Sequence, residues 1–302
     1  MGTPDFAVPS LTALLNGPDP VVGVVTQLDK PTGRGMTMTA SPVKTTAVER
    51  GIPLLQPRTL RDPETFATLE AWQPDLVVVT AFGQILPQAV LNLPTHGCIN
   101  VHASLLPRWR GAAPIQRALL AGDSHSGVTI MQMEAGLDTG PILAMKQLPL
   151  DETMTGGRLH DTLATLGAQL LVSTIAGLKT GNVRPSPQPA EGVTHAAKLT
   201  RTDEKIDFRQ PAATIQRRIL ALNPWPGAVA ELEGRPIKIL ACRVADGSGS
   251  PGTLITLQND GPEIACGEGS VIVREVQLPG KRRMTAQEWL RGHPLTIGML
   301  WS

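Results

Sequence analysis

Tyrosine is absent from this 302-residue chain, and phenylalanine and tryptophan occur only 4 and 5 times. No functional meaning attaches to that shortage. Cysteine is scarce as well. Cys98, Cys242 and Cys266 are odd in number and lack CxxC spacing, which excludes a disulfide framework and a cysteine zinc cage and predicts three inert, reduced thiols. No metal is expected. The net charge of +1 excludes a strongly basic nucleic-acid coat but leaves room for a local basic track. Apolar runs such as Leu76-Val77-Val78-Val79 are strand-sized, far short of the roughly 20 residues that cross a bilayer. The first residues have neither the basic start nor the apolar stretch of a secretory signal. A cytoplasmic monomer with no membrane partner is the expectation.

What is present is an ordinary globular composition, 41% hydrophobic and 18% charged, in a chain long enough to favour two domains. Short β-branched runs at 21–25, 76–80 and 98–101 predict buried strands, and helical spacing at 9–15 and 41–50 places helices between them. Alternation of this kind predicts a Rossmann-like α/β domain built on an open parallel sheet. Residues 127–133 and 141–148 predict two further strands flanking the turn Gly136-Leu137-Asp138-Thr139-Gly140, and 157–178 predicts one long helix. The composition then shifts to Gly, Pro, Ser, Asn and Gln, which is linker chemistry. The expected division is a catalytic domain over 1–180, a linker over 181–200 and a second domain over 201–302. In the last, short β-rich segments at 228–232, 237–244, 252–257, 263–265 and 270–276 predict a small β-barrel of the oligonucleotide-binding kind, with only a mild basic excess.

The densest chemical text is Asn100-Val101-His102-Ala103-Ser104-Leu105-Leu106-Pro107. A strand alternates its side chains, so Asn100 and His102 share a face. A carboxamide donor beside an imidazole suits acyl transfer, which needs an oxyanion donor and a neighbouring base. Taken alone such a pair is more often structural, and the turn around Asp138 is by itself only a turn.

Together, the stretch 97–140 resembles the folate-dependent formyltransferase family, whose members carry Asn-x-His, then Ser-Leu-Leu-Pro, then Leu-Asp-Thr-Gly. The resemblance implies catalytic Asn100, His102 and Asp138. It also implies a site for 10-formyltetrahydrofolate lined by Ser104, Leu105, Leu106, Pro107 and Gly136, and by Phe82, Gly83, Ile85 and Leu86 of the segment 81–87. Phe82 stands where the family commonly has Tyr. The chemistry implied is attack of an amine on the formyl carbon. Asn100 and His102 would donate to the oxyanion, His102 as a cation if Asp138 lies close, and Asp138 would orient His102 and help move the proton.

Other segments bear on the formyl acceptor. Lys30-Pro31-Thr32-Gly33-Arg34-Gly35, continuing to Lys44, is similar to the loop that methionyl-tRNA formyltransferases set against the acceptor stem, though Met36-Thr37-Met38-Thr39-Ala40 replaces the usual lysines. Asn223-Pro224-Trp225-Pro226-Gly227 and Gly280-Lys281-Arg282-Arg283-Met284 resemble signatures of that family's C-terminal domain. The implied partner is initiator methionyl-tRNA, formylated on its α-amino group for translation initiation, with Arg34, Lys30, Lys44, Lys281 and Arg282 as tRNA contacts. The relatives place a hydrophobic strand before Gly2-Thr3-Pro4. The first strand of the sheet is therefore expected to be missing, with the natural protein starting upstream and Met1 an internal methionine. The rivals are a formyltransferase acting on an amino sugar or purine precursor, a formyl-folate hydrolase, and a catalytically silent RNA-binding protein.

Overall fold

The computed structural model describes residues 1–33 and 35–302, with the side chain of Thr32 left aside. Arg34 therefore lies outside the described residues. The chain forms two compact units. One comprises Met1–Pro114, His125–Pro149 and His160–Ala196; the other comprises Ile115–Ser124, Leu150–Leu159 and Ala197–Ser302.

In the first unit, parallel pairs join Val24–Val25 to Leu54–Leu55 and Val77–Val79 to Cys98–His102. The antiparallel strands His125–Gln132 and Ile142–Pro149 then extend the sheet beyond Cys98–His102. The connections follow from sequence. Pro42–Glu49 starts after Ser41, whose hydroxyl accepts from Lys44 N at 3.1 Å. Pro63–Ala71 starts after Asp62, whose carboxylate accepts from Thr65 N at 3.2 Å, so each helix has a side-chain cap and a Pro at its first turn.

Met1 and Gly2 lie between the two parallel pairs and bond to both. Gly2 N donates to Val25 O at 3.0 Å, Thr80 N to Met1 O at 2.9 Å, and the Met1 amine to Val78 O at 2.6 Å. Beside these two residues a cavity of about 820 Å³ opens, lined by Val22, Val24, Trp72, Leu76, Val78 and Ile99 among others. The strand predicted over 21–25 is regular only at Val24–Val25, and residues 21–23 line this cavity.

The helix Gly156–Lys179 packs on the opposite face of the strand that carries Asn100. A Cβ at Gly167 would lie 2.8 Å from Val101 Cγ1, so glycine there lets helix and strand approach closely. This helix is long and apolar enough to cross a membrane by length and composition alone, but Leu163 and Leu171 are fully buried in the protein.

The second unit is an antiparallel sheet in the order Ala228–Leu232, Arg235–Ala245, Ser270–Gln277, Gly261–Ala265, Leu254–Gln258, with Met284–Thr285 paired to Ser270–Gln277. Its two edges meet the same carboxy-terminal residues: Leu232 pairs with Trp301, and Thr253 pairs with Leu300. The last residues thus close the sheet into a ring, which removes both exposed edges. Two helices absent from the sequence-based reading, Ala212–Leu222 and Ala286–Gly292, cover the core. There Trp289 and Trp301 meet edge to face with centroids 5.7 Å apart.

Candidate active site

The site forms where the strand Cys98–His102 ends. Val101 faces the long helix, so alternation turns Cys98, Asn100 and His102 to the other side of the sheet. Cys98 lies deep in the core, where burial pushes its thiol up to about 12. Asn100 is half-buried, and among the described residues nothing hydrogen-bonds its carboxamide. An amide donor in this state is available to an external oxygen.

His102 is buried, with 6% of its side chain exposed, and both ring nitrogens face named partners. Nε2 lies 3.0 Å from Trp109 O, and a carbonyl can only accept, so the proton is on Nε2. Nδ1 faces Asp138 Oδ2 at 3.7 Å, beyond hydrogen-bond length. That same oxygen accepts from Gly111 N at 2.8 Å. His102 was expected to give the oxyanion a second donor, and in this geometry its Nε2–H is already committed to Trp109 O. The nitrogen left for proton exchange is Nδ1.

Two residues flanking the imidazole hold left-handed backbone: Trp109 at φ 63° and Asp138 at φ 51°. For a bulky tryptophan this conformation is strained. The turn around Asp138 is also tight, because a Cβ at Gly140 would lie 1.9 Å from Gln132 O and one at Gly136 would lie 2.2 Å from Thr139 Oγ1. Glycine at both ends is therefore a steric requirement of the turn that carries the carboxylate.

The expected folate contacts divide into two kinds. Ser104, Leu106, Phe82 and Leu86 are interior residues, each at most 5% exposed, and their side chains offer no surface to a ligand. Ser104 Oγ instead donates to Arg108 O at 2.6 Å. Thr129 Oγ1 donates to Ser104 O at 2.7 Å and accepts from Leu106 N at 3.1 Å, so the loop after His102 is knotted to the neighbouring strand. The short hydroxyl side chain two residues after His102 builds the turn, as such residues commonly do. Leu105 and Pro107 are half-buried and Gly136 is exposed, which keeps them in reach. In the second segment, Phe82 O accepts from Thr3 Oγ1 at 2.9 Å and from Gln27 Nε2 at 2.8 Å, and Gln84 Nε2 donates to Pro57 O at 3.1 Å. A Cβ at Gly83 would lie 2.3 Å from Gln27 Nε2. This pinned loop holds Ile85 out with 83% exposure.

The expected tRNA contacts are mostly paired. Lys30 and the residues after it form a hairpin, Lys30–Thr32 against Thr37–Thr39, and Lys30 Nζ bonds Gln27 Oε1. Lys44 meets Asp29 at 2.6 Å, and this hydrogen bond, with a second from Gln56, holds the Asp29 carboxyl below its usual range. In the second unit Arg282 bonds Glu288 at 3.0 Å, and Lys281 is exposed. Half-satisfied cations of this kind still attract phosphate, but the neighbouring carboxylates weaken the field. Among the described residues no cluster of His, Cys, Asp or Glu is arranged to hold a metal.

Sequence reasoning missed Thr129, Gln27, Gln188 and Thr194. The last two lie in the stretch read as a linker, yet Ser186 pairs with Ile142, and His195 and Ala196 pair in parallel with Arg110 and Gly111.

Comparison with known proteins gives a consistent answer. The family described as formyl transferase matches residues 1–175, and the formyl transferase C-terminal domain matches 198–294. A methionyl-tRNA formyltransferase of Magnetococcus marinus is 55% identical over 99% of this chain and 96% of its own length. One of Xanthomonas campestris is 54% identical over 96% and 95%. Among solved structures, an N-formyltransferase from Helicobacter canadensis, in complex with folinic acid and dTDP-3-aminofucose, superposes with a TM-score of 0.64. It covers 90% of this chain and 96% of that one at 18% identity, a likeness of fold.

Proposed function

The chain belongs to the formyl transferase family, and we propose that it transfers the formyl group of 10-formyltetrahydrofolate to the α-amino group of methionyl-initiator tRNA. One observation carries the reading: on one strand face a half-buried carboxamide, Asn100, with no hydrogen-bond partner among the described residues, shares its face with an imidazole whose Nδ1 faces the Asp138 carboxylate at 3.7 Å.

The mechanism follows from these groups. The unprotonated amine attacks the formyl carbon, and the carbonyl oxygen becomes an oxyanion. Asn100 donates its N–H to that oxygen, an interaction strengthened as charge develops. His102 is held by Trp109 O with Nδ1 toward Asp138. Nδ1 and the carboxylate together accept the proton released by the attacking nitrogen and deliver it to the departing N10 of the folate, directly or through one water. The loop 81–87, pinned by Thr3, Gln27 and Gln84, and the exposed side of Leu105 and Pro107 supply the walls for the folate ring. The residues fit a planar, polar-edged co-substrate: Ile85 offers an apolar surface, and the neighbouring backbone is held by side-chain hydrogen bonds.

The acceptor is inferred from relatives that match the whole chain and carry the methionyl-tRNA name. Incubation of the purified protein with 10-formyltetrahydrofolate tests it, with initiator methionyl-tRNA, free methionine, a nucleotide-linked amino sugar or no acceptor. Formylation confined to methionyl-tRNA is expected. Transfer to the sugar instead would reassign the acceptor, and folate deformylation without any acceptor would make the protein a hydrolase.

A further inference from the structure

The segment read as a linker does chemistry-related work on unit 1. Gln188 spends its whole hydrogen-bonding capacity there. Its Oε1 accepts from Arg110 Nε at 3.1 Å and Nη2 at 2.6 Å, while its Nε2 donates to Asp138 O and to Gly140 O, both at 2.8 Å. The Arg110 fork fixes which end of the amide is oxygen, so the Nε2 end must point at the two carbonyls. Asp138 is thereby gripped twice: its backbone by Gln188 and its carboxylate by Gly111 N at 2.8 Å.

Thr194 performs the matching task on the other side of the imidazole. Its Oγ1 accepts from Trp109 N at 2.9 Å, and its carbonyl accepts from Arg110 N at 2.9 Å. Trp109 O is the acceptor for His102 Nε2. Both left-handed residues that frame His102 are therefore held from the same strap, and a Cβ at Gly111 would lie 2.8 Å from Ala196 O, so glycine there lets loop and strap approach this closely.

We infer that Gln188 and Thr194 are positioning residues: Gln188 sets the carboxylate opposite His102 Nδ1, and Thr194 sets the carbonyl that keeps the proton on His102 Nε2. The inference rests on the catalytic reading of His102 and Asp138. Neither residue touches the reacting atoms; each acts through a backbone group. A displacement of the carboxylate by about 1 Å is enough to lose on the order of 100-fold in rate.

The test compares wild type with Gln188→Leu, Thr194→Val, Thr194→Ser and Asp138→Asn in steady-state formylation across pH, with ¹⁵N spectra of the histidine rings. Gln188→Leu is expected to lower kcat by about 10- to 100-fold while KM for both substrates stays within about twofold, and to move the pH–rate profile. Thr194→Val is expected to lose about 10-fold and to release the His102 proton to a mixture of Nδ1 and Nε2, and Thr194→Ser to restore both properties to near wild type. Wild-type kcat and pH profile in Gln188→Leu and Thr194→Val, beside a slow Asp138→Asn, would overturn the strap alone. A fast Asp138→Asn would overturn the catalytic reading and the strap with it. Should Gln188→Leu fail to fold, the Thr194→Val and Thr194→Ser pair decides: equal loss in both, with the tautomer unmoved, overturns the inference.

Discussion

The carboxylate of Asp138 is anchored by the backbone N–H of Gly111 at 2.8 Å, and not by the imidazole it faces. Its oxygen is thus held in place whether or not His102 carries a second proton. A carboxylate so fixed needs no reorganisation when charge appears on the ring, which is the condition for electrostatic assistance to be effective. Asp138→Asn retains an acceptor for Gly111 N but loses the charge. Turnover is expected to fall about 10²- to 10⁴-fold, the usual range for loss of a positioned acid–base group, with a thermal midpoint near wild type. Single-turnover formylation beside a melting curve checks this; a drop in stability without a drop in rate would mean that the carboxylate is structural.

Among the described residues nothing hydrogen-bonds the Asn100 carboxamide, so its removal orphans none of them. Asn100→Ala should therefore fold normally and lose about 10²- to 10³-fold in kcat, the range for one oxyanion donor, with KM for folate little changed. His102→Ala differs, because it also strips Trp109 O of its donor, and a modest loss of stability is expected beside the loss of rate. Retention of near wild-type turnover by Asn100→Ala would remove the oxyanion role.

Closure of the second unit depends on its last residues. Trp301 is 2% exposed, pairs with Leu232, and donates from its backbone to Gly252 O at 2.8 Å, while Met299 O accepts from Leu254 N at 2.8 Å. Deletion of residues 299–302 would uncover two strand edges and a tryptophan-sized hole, with a cost of about 3–5 kcal/mol from the tryptophan alone. The shortened chain is expected to aggregate on mild heating, read by light scattering. Trp301→Phe, which keeps the backbone pairing and most of the volume, should stay soluble. Equal solubility of the deletion and wild type would show that the ring does not need its last stave.

Acid sensitivity should arise in the second unit from Asp203. The Arg117 guanidinium, bonded at 2.7 Å, holds this carboxyl down to about 2 from an ordinary value of 3.8, with further help from the Thr200 backbone and hydroxyl. A depressed carboxyl favours the folded state fully above its unfolded value, and the benefit disappears as pH falls from about 4 to about 2. With the side chain 19% exposed, the contribution is at most about 2 kcal/mol. Urea midpoints measured from pH 6 down to pH 2 should fall less steeply in Arg117→Ala than in wild type. Parallel curves would show that the pair contributes nothing to the acid limb.

The parts of this site that were legible in the sequence are those whose logic is local. Asn100 and His102 are two apart on one strand, and Asp138 sits between glycines that only a tight turn demands. The remainder acts across long separations. Gln188 lies 50 residues from Asp138 and Thr194 lies 85 from Trp109, and both work on backbone groups, so neither leaves a side-chain pattern to read. Ser104 and Phe82 show the opposite case: their neighbours mark a functional segment, but only packing tells which side chains of that segment point inward. Among elements, the helix Ala212–Leu222 was legible in Ile215, Ile219 and Leu222 at helical spacing, and was masked by the β-rich text around it. Ring closure by Leu300 and Trp301 had no local signal at all.

The left-handed backbone at Trp109 and Asp138 bears on how this protein can be improved. Each such residue costs on the order of 1–2 kcal/mol against an unstrained alternative, and glycine would relieve it. A directed-evolution campaign scored only for heat resistance would be drawn to these two positions, and each gain there would come out of the imidazole's alignment. Libraries meant to yield a tougher catalyst should keep both codons fixed and diversify the surface elsewhere.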